Sequence, residues 1–275
     1  MRHVLVYPTW RCHLNCPYCN YFLQEDGLSM KYGGSGRIYK VEKELNSDEL
    51  LSLLKSFNAD LYEFTGGEPL RFNGIEQVLN NLPKWAITSN TLHSIEKIDF
   101  SNCLFWTASF HPHISDTGID KFILNVKKIK RKGVTTAITL VAKPETVGKV
   151  LMWSDRFYQL DRFYQKGFGV NIHAYYEDPT FSWEKYPTEW NMLRKSSFLR
   201  YNERFFNLSG VKGSEKCCGG KDYFVIGPDG KVFRCVTDML FHGKVLDKLS
   251  DDLYKCNQIC YACCDWTHGI REEII

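Results

Sequence analysis

The sequence predicts an α/β chain: a partial (β/α)6 TIM-like barrel followed by a small C-terminal domain of β-hairpin and helix. Three observations carry that expectation. From residue 3 to residue 176, short apolar, β-branched or aromatic runs alternate with amphipathic helical stretches, the pattern of a parallel sheet built from βα units. Six such units end near residue 176, whereas a full barrel needs eight units and about 250 residues. Beyond them, Tyr223-Phe224-Val225-Ile226 and Lys231-Val232-Phe233-Arg234-Cys235 flank Gly227-Pro228-Asp229-Gly230, a strong hairpin signal. The expected division is a barrel over 1–176, an aromatic-rich linker with a helix over 177–210, and the C-terminal domain over 211–275.

Strands are expected at 3–7, 61–65, 85–88, 104–109, 135–141 and 169–174. The first helix takes Ser47 as N-cap, with Asp48 and Glu49 at the positive end of its dipole and Leu50, Leu53, Leu54 and Phe57 on one face. Ile75, Val78, Leu79 and Leu82 repeat that spacing. Ile119, Phe122, Ile123, Val126 and Ile129 repeat it again, followed by basic residues and by Gly133 as C′ residue. Gly33-Gly34-Ser35-Gly36 has no following Lys-Ser/Thr, so it reads as a spacer or lid and not as a P-loop. Phe181, Trp183, Tyr186 and Trp190 precede an expected helix over 189–201, and such a segment suits packing between lobes.

Composition narrows the function. Among 275 residues, 35 Lys and Arg balance 32 Asp and Glu to leave +3, so neither nucleic acid nor an anionic membrane is an expected partner. No run of about 18 apolar residues is present and the N-terminal run is too short for a signal peptide, so a cytoplasmic location is expected. Eleven cysteines are then anomalous, because a reducing compartment disfavours structural disulfides and points to metal ligation or catalysis. Cys12, Cys16 and Cys19 lie close together, seven fall between Cys217 and Cys264, and Cys103 sits alone in an apolar stretch as a core thiol.

Cys12-x3-Cys16-x2-Cys19 follows the first strand, at the sheet edge where α/β proteins assemble their sites. Three thiolates on one loop can hold three corners of a [4Fe–4S] cube and leave one iron open to bind a ligand. A Cys3His zinc site using His13 is the competing reading, strained by the closeness of His13 along the chain.

The triad, with aromatic Tyr18 before the last cysteine, resembles the signature of the radical S-adenosylmethionine enzymes. That resemblance implies a [4Fe–4S] cluster on Cys12, Cys16 and Cys19 whose open iron chelates S-adenosylmethionine. Reductive cleavage of the cofactor would give a 5′-deoxyadenosyl radical that abstracts hydrogen from substrate, fed by a flavodoxin- or ferredoxin-type electron donor. Gly66-Gly67-Glu68-Pro69 after the second strand is similar to the family's GGEP motif, whose backbone and Glu meet the methionine amino group. Two glycines let backbone approach a ligand closely, and a carboxylate suits an ammonium. Ser89, Asn90 and Ser109 occupy the family's further cofactor positions, and Val141 the adenine position. There Ile138-Thr139-Leu140-Val141 departs from the family's Gly-x-Ile-x-Gly-x-x-Glu version.

The later cysteines resemble the family's SPASM or shorter twitch extension, which implies one auxiliary [4Fe–4S] cluster on Cys217, Cys235, Cys260 and Cys263. Cys218, Cys256 and Cys264 are alternatives, and a zinc ribbon is the competing site. The C-terminal domain thereby becomes an expected cluster-binding domain. For proton transfer the candidates are His111, His173 and Glu177, with His113 and Tyr175 nearby, since oxidation at an alcohol carbon needs a base. The leading expectation is an oxidoreductase acting on a small polyol, sugar or nucleoside. The alternative is a peptide-maturation enzyme that oxidises, cross-links or epimerises a precursor, and a non-enzymatic iron–sulfur or zinc module is the third. The first strand begins at His3, with no winged-helix leader-binding segment before it, which favours the small molecule.

Overall fold

In the computed structural model the described residues are 2–16, 19, 21–23, 29–32, 38–143, 146–164, 169–174, 212–247, 249, 252 and 254–259. The frame is an eight-stranded sheet containing β1 (His3–Val6), β5 (Leu61–Phe64), β6 (Trp85–Ser89), β7 (Cys103–Phe110), β8 (Thr135–Ala142) and β9 (Gly169–Ala174) in sequential order. All six run parallel, as the alternation of apolar runs and helices predicts. Four helices cover one face: α1 (Ser47–Phe57), α2 (Ile75–Asn80), α3 (Asp116–Arg131) and α4 (Val147–Tyr164). Their apolar stripes meet Val4, Val6, Phe64, Ile87, Trp106, Ala108, Phe110, Ile138 and Leu140 in one continuous core. The result is the expected partial barrel, and it holds more strands than the sequence suggests.

Two additions surround β1. The hairpin of β11 (Tyr223–Ile226) and β12 (Val232–Phe233) forms as predicted, and β11 also pairs in parallel with the free edge of β1. Between β1 and α1, a three-stranded antiparallel sheet of β2 (Tyr21–Leu23), β3 (Ser29–Tyr32) and β4 (Ile38–Lys40) stands where only a spacer is expected. Gly33 to Gly36 fall outside the described residues. A separate antiparallel pair joins β10 (Lys212–Cys217) to β13 (Tyr254–Ile259). Leu5, Tyr7 and Trp10 meet Met30, Tyr39, Tyr223, Val225, Phe233, Met239 and Leu240 in a second apolar cluster.

The first helix corrects the sequence reading by one residue. Asn46, not Ser47, is the N-cap: its side chain accepts from the amides of Asp48 and Glu49, and the Glu49 carboxylate accepts from the Asn46 amide at 2.8 Å, a complete capping box. Ser47 is already helical, and its hydroxyl donates to the Gln77 side chain at 3.1 Å. Gly133 follows α3 at φ +85°, as its assigned place past the helix end requires. Cys103 packs against the main core, and burial pushes its thiol well above the usual range, as expected of a structural cysteine. The expected helix over 189–201 lies outside the described residues. Among the described residues no helix is long and apolar enough to cross a membrane.

Candidate functional site

The cysteine loop leaves the C-terminal end of β1, and a brace fixes its first turn. The Thr9 hydroxyl and the Arg11 guanidinium both donate to the nearly buried carboxylate of Glu44, and the Arg11 amide donates to the Thr9 hydroxyl at 3.0 Å. The Gly66-Gly67-Glu68 turn then docks on this loop: the Gly67 amide donates to the Thr9 carbonyl at 3.2 Å and the Glu68 amide to the Arg11 carbonyl at 2.8 Å. Only glycine permits that approach. A Cβ at Gly67 would lie 2.5 Å from the Trp10 carbonyl oxygen and 2.6 Å from that of Arg11. Gly66 has φ +122°, a conformation that side chains rarely adopt.

Cys12, Cys16 and Cys19 are each half-buried on this loop. The Cys19 amide donates to the Cys16 carbonyl at 3.0 Å, and the Leu14 amide approaches the Cys12 sulfur at 3.5 Å. Burial pushes the Cys12 thiol up to about 11, with the neighbouring Glu68 and Cys19 adding to the shift. The Cys16 sulfur lies 3.4 Å from His111 Nδ1. Among the described residues no three His, Cys, Asp or Glu side chains converge on a single metal ion, whereas a cubane cluster takes each thiolate on a different iron. In donor chemistry and placement the loop nonetheless suits an iron–sulfur cluster: three accessible thiols follow a strand end and adjoin a backbone cradle that a Cβ would fill.

Glu68 is 1% exposed, and both of its oxygens are engaged by its own chain. Oε1 accepts from the Leu70 amide at 3.0 Å and the Ser89 hydroxyl at 2.8 Å, while Oε2 accepts from the Asn90 amide at 2.8 Å. Burial raises its pKa to about 7 against those bonds. Glu68 thus acts as a strut between the turn after β5 and the end of β6, and the surface of the turn is backbone. The strut continues inward. Thr91, at φ +59°, donates its amide to the Ser89 hydroxyl and accepts from the Trp106 indole at 3.1 Å, and Asn125 of α3 donates to the carbonyls of Thr91 and His93. His93 in turn meets His13 of the cysteine loop at 3.0 Å, and burial lowers the His93 pKa to about 4.

Strand alternation sets the chemistry of the concave face. Ile87, Trp106, Ala108, Phe110, Ile138 and Leu140 face the helices, so Thr88, Thr107, Ser109, Thr139 and Val141 face the barrel interior. None of the hydroxyls of Thr88, Thr107, Ser109 and Thr139 makes a hydrogen bond among the described residues. Ser109 lies beside Thr139 in register, and Val141 beside His173. Ser109 and Val141 therefore both lie on the interior face. His173 is described through its backbone alone, and Tyr18 and Glu177 lie outside the described residues.

Of the later cysteines, Cys217 ends β10 and Cys235 follows β12, and both pack against the apolar cluster that includes Tyr7 and Trp10. The Gly219 amide approaches the Cys217 sulfur at 3.4 Å, and the Asp238 amide approaches the Cys235 sulfur at 3.5 Å. Cys256 lies in β13 opposite Ser214. Cys260, Cys263 and Cys264 lie outside the described residues. Glu44, Thr91, Asn125 and the pairing of His93 with His13 escape the sequence reading, because, apart from Ser89 beside Thr91, their partners are 15 or more positions away and no local spacing marks them.

No family model and no curated protein matches the chain. Among solved structures it is similar to SuiB of Streptococcus suis bound to S-adenosylmethionine, at 12% identity and TM-score 0.47, over 91% of this chain and 62% of that one. It is also similar to anSMEcpe with bound AdoMet, at 17% identity and TM-score 0.49, over 98% of this chain and 79% of that one. A further likeness is to anSMEcpe with bound AdoMet and the Cp18Cys peptide, at 17% identity and TM-score 0.48, over 97% of this chain and 81% of that one. The chain thus spans 62% of the length of the SuiB chain.

Proposed function

We propose that the chain is a radical S-adenosylmethionine enzyme whose triad Cys12, Cys16 and Cys19 holds the cofactor-binding [4Fe–4S] cluster. The observation that carries this reading is the docking of the Gly66-Gly67 turn on the cysteine loop through the amides of Gly67 and Glu68. It joins a three-thiol ligand set to a partly accessible glycine turn, whose backbone carbonyls suit an amino acid's ammonium group. When bound, the reduced cluster and S-adenosylmethionine supply a 5′-deoxyadenosyl radical that abstracts a hydrogen atom.

The chain's own residues do the rest. Glu68 holds the turn against Ser89 and Asn90 without meeting the ligand, and Ser109 and Val141 present the interior face to the nucleoside half of the cofactor. Cys217 and Cys235, with Cys260 and Cys263, would hold one auxiliary [4Fe–4S] cluster, whose chemistry there would be to take up an electron from the substrate. A flavodoxin- or ferredoxin-type protein supplies the first electron. The substrate is a small hydroxylated molecule, a reading supported by interior hydroxyls of Thr88, Thr107 and Thr139 that are free to pair with its polar groups. A peptide precursor is the competing class.

Binding at the open iron provides the test. In the anaerobically reconstituted and reduced chain, S-adenosylmethionine should change the electron paramagnetic resonance spectrum of one cluster, and Cys16→Ala should abolish that response. A spectrum indifferent to S-adenosylmethionine, or a preparation holding zinc in place of iron and sulfide, contradicts the proposal.

A further inference from the structure

The contact between Cys16 and His111 spans 95 positions of sequence, and the fold builds it from a rigid mount. His111 directly follows Phe110, the last residue of β7. Phe110 is held edge-on or tilted against Phe122, Trp153 and Phe157 of α3 and α4, with ring centroids 5.2, 4.9 and 4.8 Å away. On the far side, the Ile114 amide donates to the His111 carbonyl at 3.1 Å, closing the turn that leads into α3. The backbone of His111 is thus held on both sides, and its ring Nδ1 is 3.4 Å from the Cys16 sulfur. A metal-ligating thiolate can only accept, so the proton of this contact belongs to Nδ1.

We infer that His111 is a positioning residue for the cluster, donating its Nδ1 proton to the Cys16 thiolate to hold that ligand in place and raise the cluster's reduction potential. The inference rests on the reading of the triad as a cluster site. An N–H donor offsets negative charge on a ligating sulfur, and the reduced cluster carries one more negative charge than the oxidised one. The bond therefore stabilises the reduced form more. One consequence concerns the reaction itself. With Nδ1 directed at sulfur, His111 serves the cluster, and the proton acceptor for the substrate lies elsewhere.

The test compares full-length, reconstituted chains carrying His111→Phe, which keeps ring bulk without a donor, and His111→Asn, whose amide can donate from nearly the place of Nδ1. The readout is the midpoint potential of the cluster whose spectrum responds to S-adenosylmethionine, together with iron and sulfide per chain. The expected result is a more negative potential or a loss of about four irons in His111→Phe, with both restored toward the wild type in His111→Asn. An unchanged potential and iron count in His111→Phe overturns the inference, as does a His111→Asn variant no different from His111→Phe. A wild-type chain that takes up no iron overturns the cluster reading as well, so the two failures are distinguishable.

Discussion

Glu68 shows how firmly a residue of the glycine turn is held by its own chain. Its carboxyl accepts three hydrogen bonds, yet burial still raises its pKa from the ordinary 4.5 to about 7. A carboxyl whose pKa is higher in the folded chain contributes stability that is full below pH 4.5 and lost as pH rises through about 7. The shift corresponds to about 3 kcal/mol between those limits. Glu68→Gln mimics the neutral form, so the metal-free variant should gain on the wild type in urea midpoint between pH 5 and pH 8. Parallel midpoints across that range would show that Glu68 ionises freely. Gly66 and Gly67 are legible in sequence, since adjacent glycines after a strand announce a close backbone approach. The left-handed Thr91 is not, because nothing local distinguishes it from an ordinary threonine.

At the scale of elements, residues that carry periodicity are legible and residues that carry only long-range pairing are not. The six parallel strands and α1 to α3 follow from apolar spacing, with ends displaced by one or two positions where caps and turns decide the boundary. For α1 that displacement matters, because Asn46 makes the capping bonds. Asn46→Ala should cost about 1 kcal/mol and lower the thermal midpoint by a few degrees, while Ser47→Ala should cost less. Equal losses in the two variants, measured by calorimetry, would return the cap to Ser47. The helix α4 is hidden because its apolar positions Val147, Val150, Trp153 and Phe157 are diluted by charged and small neighbours. For β11 the signal is present: four consecutive apolar residues, all buried, mark a strand covered on both faces.

Over the whole molecule, the central finding is that both cysteine regions are anchored to β1. The triad leaves its C-terminal end, and the hairpin between Cys217 and Cys235 adds to its edge. One apolar cluster, from Leu5 and Trp10 to Met239 and Leu240, supports both regions. Sequence spacing identifies each region separately, the triad by its place after the first strand and the later cysteines by their place around the hairpin. Their common support escapes it, because β1 and β11 are more than 200 positions apart and no periodicity encodes their pairing. The same arrangement gives the account its most direct measurement. The anaerobically reconstituted chain should hold about eight irons, two cubes of four. Reduced in the presence of S-adenosylmethionine, it should release methionine and 5′-deoxyadenosine, and it should lose that activity when Cys12, Cys16 and Cys19 are replaced by Ala. Failure of an iron-loaded, reduced chain to form 5′-deoxyadenosine, or equal formation by the triple variant, would contradict the account.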